Sequence, residues 1–320
     1  MTRLGYQIPN FTYPGVGPDG LFDAVAAQAQ AAERSGFDTV LVMDHFYQLG
    51  MLGTPDHYML EAYTTLAALA RETSSVRLSA LVTGNTYRNP AVLAKQVTAL
   101  DVVSGGRAQL GIGAGWFELE HDSFGIEFGT FTDRFEKLEE SLQIVIPMLR
   151  GERPTLEGRH YQAREAMNEP PAVGRIPVMI GGGGERKTLR LVAQYADESN
   201  LICDDADIPR KLEALAGHCD ALGRDRSEIV VSKQMSCCIA PTHDQAVAEL
   251  DAGMALTGLD EATQAASRAR FVVGDPDEVG EKLAEVLATG VDGWTINLPA
   301  NGHIPERVEL LGETASKLLA

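Results

Sequence analysis

The feature that most constrains the fold is an alternation of short apolar runs with longer segments of helical spacing, repeated along the whole chain. Short runs rich in Val, Ile and Leu are typical of buried parallel strands, and apolar residues three and four apart predict helices. The predicted strands are residues 3–8, 38–43, 76–83, 107–113, 176–180, 199–203, 228–240 and 293–298. Eight strand–helix units favour an α/β fold of the (β/α)8 TIM-barrel type over an open doubly wound sheet.

Two segments are too long for ordinary connections in this pattern. Residues 114–131 follow strand four and residues 151–175 follow helix four, whereas most such loops take about two to six residues. Gly158 marks the turn of a small predicted hairpin in the second segment. We therefore expect a single barrel domain over residues 1–320 that carries these two insertions.

Charge content indicates which partners to expect, and cysteine content indicates the compartment. The net charge is −18 and the sequence pI is about 4.8, which argues against nucleic acid or an anionic membrane as a partner. The four cysteines have no CxxC spacing, which is typical of free thiols in a reducing compartment. No signal-peptide core and no apolar run of about 18–20 residues occurs. We expect a cytoplasmic protein.

Polar side chains follow the second and third predicted strands. Asp44 and His45 come directly after strand two, and Asn85 and Thr86 follow strand three. In a parallel barrel all strands end at one rim, where functional groups collect. A surface histidine beside a helix-capping aspartate, and a polar loop, are the alternatives for these two pairs.

Glycines dominate the ends of strands four and five. Residues 111–116 read GIGAGW, which matches a dinucleotide-binding fingerprint only loosely, and no helix follows immediately. Four glycines at 181–184 precede Glu185, Arg186 and a helix, and such a run of unhindered N–H groups is typical of an anion site. A flexible turn is the alternative. The scattered histidines form no metal-binding motif, so we predict no metal site. A flat, phosphorylated cofactor suits this rim.

In this combination the chain resembles the bacterial luciferase-like superfamily, and most closely its coenzyme F420-dependent class from actinobacteria. The resemblance is carried by VMDHF at 42–46, by residues 59–70, 81–121 and 134–145, and by PVMIGGGGERKTLRLVAQYAD at 177–197. It covers nearly the whole chain. It implies a TIM barrel with the deazaflavin F420 across the C-terminal rim, FMN being the alternative cofactor, and a homodimer.

The resemblance also implies a set of cofactor contacts. His45, beside Asp44, would hydrogen-bond or protonate near the reacting centre. A non-prolyl cis peptide would lie near Val82, the ring's polar edge would meet Thr83 and Asn85, and the polyglycine loop would hold a phosphate. The complete set is Asp44, His45, Val82, Thr83, Asn85, Ala114, Gly115, Gly182, Gly183, Gly184, Glu185 and Arg186.

Two positions depart from the sugar-phosphate dehydrogenases of this superfamily. Where those relatives carry a tryptophan and a glutamate, this chain has Leu49 and Trp116. Glucose 6-phosphate is therefore not the expected substrate, and Phe11, Phe46 and Phe117 would complete an apolar pocket. We expect an oxidoreductase that transfers a hydride between F420 and an apolar organic substrate. An FMN-dependent monooxygenase and a non-catalytic flavin-binding relative are the alternatives.

Overall fold

A computed structural model describes residues 2–319. The strands are β1 (Leu4–Ile8), β2 (Thr39–Val42), β3 (Arg77–Ala80), β4 (Thr83–Gly84), β5 (Leu110–Gly113), β6 (Leu156–Glu157), β7 (Gln162–Ala163), β8 (Val178–Gly181), β9 (Glu198–Leu201), β10 (Val230–Ile239), β11 (Phe271–Gly274) and β12 (Gly293–Asn297). The α-helices are α1 (Leu21–Arg34), α2 (Ala62–Glu72), α3 (Pro90–Ser104), α4 (Glu118–Phe124), α5 (Phe131–Leu149), α6 (Thr188–Tyr195), α7 (Ile208–Leu222), α8 (His243–Ala255), α9 (Glu261–Arg268), α10 (Pro276–Leu287) and α11 (Pro305–Ser316).

The main sheet runs in the order β3-β2-β1-β12-β10-β9-β8-β5-β4, and every neighbouring pair is parallel. The predicted third strand is divided into β3 and β4 by a cis peptide between Leu81 and Val82, at the place the resemblance implied. A parallel bridge from Leu78 to Ala108 joins the two ends of the sheet. The predicted (β/α)8 barrel is thereby confirmed.

The core lies between the strands and the surrounding helices. Trp294, Leu78 and Leu110 have no exposed surface there, because barrel strands are covered on both faces. Their sequences are continuous apolar runs for the same reason. Inside the barrel, by contrast, amides meet near the C-terminal rim. Gln7 Oε1 accepts hydrogen bonds from Gln234 Nε2 at 2.6 Å and Asn297 Nδ2 at 2.7 Å.

Elements that do not belong to the eight strand–helix units lie in the two insertions and in the segment after α8. The antiparallel β6–β7 hairpin confirms the one predicted within residues 151–175. Residues 114–131 contain α4, and residues 261–274 contain α9 and β11, none of which the sequence pattern predicted. β11 pairs with β10 where β10 extends beyond the barrel, from Ser236 to Ile239. Within residues 2–319, no helix combines the length and the apolar character needed to cross a bilayer.

Candidate active site

His45 lies three residues after the end of β2 at the C-terminal rim, with 13% of its side chain exposed. Its Nδ1 atom is 2.9 Å from Glu120 Oε2. The rings of Trp116 and Phe117 meet the imidazole edge-on, at centroid distances of 5.8 and 5.7 Å. The imidazole is thus held by a hydrogen bond at Nδ1 and by ring contacts at its edges, and a small part of its surface is exposed at the rim.

Glu120, on α4, is a residue that the sequence did not single out. Its side chain is fully buried and accepts hydrogen bonds from the backbone N–H groups of Phe46 and Tyr47, and from the Tyr87 hydroxyl. Burial raises the pKa of Glu120, but hydrogen bonds from His45 and Tyr87 outweigh it, so the pKa lies below its ordinary value. The carboxylate is therefore ionised at neutral pH.

Asp44 points away from His45, as adjacent residues in an extended chain do. Its carboxylate receives two hydrogen bonds from the Arg88 guanidinium, at 2.6 and 2.7 Å, and one from Gly84 N at 2.9 Å. Arg88 also pairs with Glu61 at 2.7 Å and lies 5.0 Å from the ring centre of Tyr63. Asp44 thus fixes the loop after β4 relative to β2.

The end of strand three brings together the predicted residues Val82, Thr83 and Asn85. Thr83 is fully buried and its hydroxyl is 2.8 Å from that of Tyr63. A Cβ atom on Gly113 or on Gly181 would come within 2.8 Å of the Val82 side chain, so the two glycines make room for it. Val82 consequently covers the neighbouring strand ends.

Asn85 is 3% exposed, and neither its Nδ2 nor its Oδ1 has a hydrogen-bonding partner among the described residues. Leaving a buried amide unpaired costs about 1–3 kcal/mol. A donor and an acceptor side by side match a flat ring edge that offers an acceptor beside a donor, such as the pyrimidine edge of a flavin or deazaflavin. The orphaned amide fits the predicted cofactor.

Ala114 and Gly115 follow β5 as predicted. Gly115 adopts a left-handed conformation, with φ at 80°, and a Cβ atom there would lie 2.7 Å from Thr86 Oγ1. The Thr86 hydroxyl is 2.7 Å from Nε2 of the buried His121, on α4. Only glycine fits this place without displacing the loop after β4.

The polyglycine loop follows β8. Gly182 has φ at 123° and donates its N–H to Asn200 O at 2.9 Å. A Cβ atom on Gly183 would lie 3.0 Å from Ile202 O. Lys211, on α7, has a side chain only 10% exposed and donates to Gly183 O at 2.7 Å. An ammonium group therefore lies against the loop that was predicted to hold a phosphate.

Charged side chains surround the polyglycine loop. Three residues separate the glycines from α6, which begins at Thr188. Arg186 is exposed, and the ammonium of Lys187 lies 5.1 Å from the Phe131 ring centre. Glu185 pairs with Arg210 and lies 3.6 Å from the Lys211 ammonium. Lys211 was missed because it is distant in sequence and follows no motif.

A cavity of about 230 Å³ lies at the same rim, among the loops after β1, β2 and β12 and the segment from α8 to β11. We call it the rim cavity. Met51, Leu52, Met254, Leu256 and Phe271 are among its apolar lining residues, and Asp, Glu, Lys and Arg are absent from its lining. Strands one and five are opposite in an eight-stranded barrel, so the rim cavity faces the polyglycine loop across the rim.

The lining differs from the pocket predicted from sequence. Phe11 is fully buried in the core and does not line the rim cavity. Trp116 is 59% exposed and stacks on Phe117 beside His45, at a centroid distance of 5.2 Å. Of the predicted aromatic residues, Trp116 and Phe117 therefore flank the histidine, and the apolar cavity is formed by other side chains.

Comparison with known families decides the classification. The family described as luciferase-like monooxygenase matches residues 2–293. The chain belongs to this family. The resemblance inferred from the sequence is thereby confirmed.

Curated relatives and solved structures extend over the full chain. An F420-dependent glucose-6-phosphate dehydrogenase of Microbacterium testaceum is 28% identical, covering 97% of this chain and 95% of its own length. The coenzyme F420 dependent tetrahydromethanopterin reductase of Methanopyrus kandleri has a TM-score of 0.80 at 19% identity, covering 100% of this chain and 99% of the other. The oxygenating constituent of 3,6-diketocamphane monooxygenase from Pseudomonas putida, in complex with FMN, has a TM-score of 0.75 at 20% identity, covering 99% and 98%.

The curated relative agrees with the expected enzyme class, a deazaflavin-dependent oxidoreductase, and the solved structures agree with the fold.

Within residues 2–319, one cluster of possible metal ligands lies outside the rim residues. Ligand atoms of Asp133, Glu136 and His160 lie within 4.8 Å of one another. Arg159 occupies the same cluster, 2.8 Å from Glu136 and 3.7 Å from Asp133. Its guanidinium therefore pairs with both carboxylates of the cluster.

Proposed function

We propose that this chain is an F420-dependent oxidoreductase that exchanges a hydride with a neutral, mainly apolar organic substrate. The observation that carries the proposal is the buried amide of Asn85 at the rim, which has no partner among residues 2–319 and would pair with a ligand that offers a donor and an acceptor on one edge. The 28% identical F420-dependent relative, which spans 97% of the chain, supports F420 over FMN.

The rim residues divide the work of holding the coenzyme. Asn85 and Thr83 would pair with the pyrimidine edge, and Val82 would support the ring from below. Ala114 and Gly115 leave space for the tail. Gly182, Gly183 and Gly184 would present backbone N–H groups to its phosphate, with Lys211 supplying the charge in this acidic protein.

Further roles fall to residues at the edges of this site. Asp44 would position the loop that carries Asn85, through its bonds to Arg88 and Gly84. Glu185 would orient the glycine loop through its ion pair with Arg210. Arg186 is exposed beside that loop, where it would attract the glutamates of the coenzyme tail from solvent.

His45 would be the general acid or base. When bound, a deazaflavin supplies hydride exchange and reacts poorly with oxygen. Oxidation of an alcohol to a carbonyl also releases the hydroxyl proton, and the reverse reaction consumes one. Imidazole suits this transfer because its two nitrogens can hold and release a proton near neutral pH.

The substrate class follows from the rim cavity. A phosphorylated sugar buried against the rim cavity would find no lysine or arginine in its lining, only the imidazoles of His57 and His303, and a poorly paired buried charge is costly. A neutral alcohol or ketone with an apolar body would be stabilised there by burial of apolar surface. We therefore infer that this protein does not share the sugar-phosphate substrate named for its relative.

Titration of the apo-protein with F420 and with FMN, each followed by fluorescence quenching, tests the cofactor. We expect F420 to bind at least about tenfold more tightly, a difference of about 1.4 kcal/mol. Tighter binding of FMN would favour the monooxygenase alternative. Tight F420 binding without turnover on any of a panel of neutral alcohols and ketones would favour a non-catalytic binding protein.

We also propose that the chain works as one domain in a homodimer in the cytoplasm. The largest core cluster extends from Leu4 to Ala315, and the four cysteines are free. On α3, Val92 is 51% exposed and Val103 is 41% exposed, and with Ala99 they form a stripe at helical spacing. Such a stripe suits a second copy of the chain. A monomer in sedimentation at micromolar concentration would contradict the dimer.

A further inference from the structure

The carboxylate of Glu120 has four hydrogen-bonding partners. Its Oε1 atom accepts from Phe46 N and from Tyr47 N, the latter at 2.9 Å. Its Oε2 atom accepts from the Tyr87 hydroxyl and meets His45 Nδ1 at 2.9 Å. Each oxygen therefore has two partners, and the buried anion is fully satisfied.

The chemistry of these partners determines where the hydrogen on His45 lies. A carboxylate only accepts hydrogen bonds, so the Nδ1 atom that faces it carries the hydrogen. In the neutral imidazole the other nitrogen, Nε2, then has a free lone pair. Hydrogen bonding that holds one imidazole nitrogen determines the tautomer, as the buried aspartate does in a serine protease triad.

We propose that Glu120 is a positioning residue that holds His45 in the Nδ1–H tautomer and presents Nε2 to the substrate. The inference rests on the proposed function for the role of His45 in turnover, but not for the tautomer itself. Trp116 and Phe117 limit rotation of the ring from its edges. Tyr87 keeps Oε2 oriented, because burial and the neighbouring carboxylate raise the pKa of its hydroxyl, which stays protonated.

In this role, α4 would contribute to the site as well as to the insertion after β5. Glu120 joins the loop after β2, through Phe46 and Tyr47, to the loop after β4, through Tyr87. A neutral amide at position 120 would keep the size of the side chain but would place an NH₂ group among donors. The hydrogen bond to Nδ1, or one of the others, would then be lost.

The test is NMR of protein labelled with ¹⁵N in the imidazole rings, in which the two nitrogen shifts report the tautomer directly. Comparison with His45→Gln assigns the His45 signals among the seven histidines. In the wild type we expect Nδ1 to be protonated and Nε2 unprotonated in the neutral ring. In Glu120→Gln we expect the other tautomer or a mixture, with kcat lowered at least about tenfold and the Kd for F420 changed less than threefold.

The matched control is Glu118→Gln, an exposed glutamate on the same helix, which should leave the His45 shifts and kcat as in the wild type. An unchanged tautomer and unchanged kcat in Glu120→Gln would overturn the proposal. If Glu120→Gln does not fold, the spectrum of the wild type still tests the proposal. An Nε2–H tautomer of His45 in the wild type is enough to refute it. The expected tautomer in a protein that does not bind F420 would leave the inference standing and would reject the proposed function.

Discussion

Asn85 should respond to substitution with opposite effects on stability and on cofactor affinity. The Asn85→Leu variant keeps the branching at Cγ but removes the two buried polar atoms, for which residues 2–319 offer no partner. Relief of an unpaired buried amide is worth about 1–3 kcal/mol, and part of it is offset by the larger volume of leucine. We therefore expect the apo-protein to gain about 1 kcal/mol in free energy of unfolding, which raises its thermal midpoint by about 2 °C.

The same change should weaken binding of F420. Each lost hydrogen bond costs about 0.5–1.5 kcal/mol, so the loss of two corresponds to a Kd raised about fivefold to 150-fold. Differential scanning calorimetry of the apo-protein and fluorescence titration with F420 measure the two effects. A lower midpoint together with an unchanged Kd would refute the reasoning, since it would mean that the protein already satisfies Asn85.

Asn168 provides the control for this prediction. Its Oδ1 is also unpartnered among the described residues, but its Nδ2 donates to Thr98 Oγ1 at 2.7 Å and to Met148 O at 3.0 Å. Asn168→Leu should therefore lower the midpoint and leave the Kd for F420 unchanged. A rise in midpoint in both variants would show that leucine stabilises for reasons unrelated to pairing.

Three further predictions concern the rim. His45→Ala should lower turnover by about 10²–10⁴-fold with F420 affinity retained, and His45→Gln, which donates but does not titrate, should restore activity only if a hydrogen bond suffices. Gly183→Asp should raise the Kd for F420 at least about tenfold relative to Gly183→Ala, which adds the Cβ without the charge; equal values would move the phosphate elsewhere. Arg88→Met should lower the free energy of unfolding by about 3–5 kcal/mol, because Asp44 is left buried with one remaining donor, and a calorimetric loss under 1 kcal/mol would contradict the buried pair.

One prediction concerns pH. The pKa of Glu120 is lowered in the folded state, so its contribution to stability is present above the unfolded value of about 4.3 and is lost as the pH falls through the folded pKa. The wild type should therefore lose stability below about pH 5, and Glu120→Gln should lose less over the same range. Parallel curves from calorimetry between pH 7 and pH 3 would contradict this assignment.

The barrel and the glycine-rich strand ends could be predicted because they depend on local pattern. Alternating strands and helices, Gly115 and the polyglycine loop are visible within a few residues of sequence. The partners that complete the site are not. Glu120, Lys211 and Arg88 reach the rim from other elements, and nothing in their neighbouring residues distinguishes them from exposed charges such as Glu118.

The helix α9 and strand β11 were missed for a different reason. β11 has only four residues, and its place beside β10 depends on β10 extending past the barrel. Such pairing is determined by tertiary structure and not by the strand's own sequence. The non-prolyl cis peptide at Leu81–Val82 was located correctly, but only through the resemblance, since no local composition indicates it.

The contrast between buried and exposed residues in α4 and in the loop before it has a consequence for how such enzymes diversify. Glu120 and His121 are buried and bonded to the loop after β4, and Trp116 packs against the His45 ring. Leu119 is 44% exposed, and Glu118 is exposed as well. These two outward positions can exchange during evolution without disturbing the ring contacts of the histidine or its hydrogen bond to Glu120. They are therefore a natural place for selection, or a directed library, to vary.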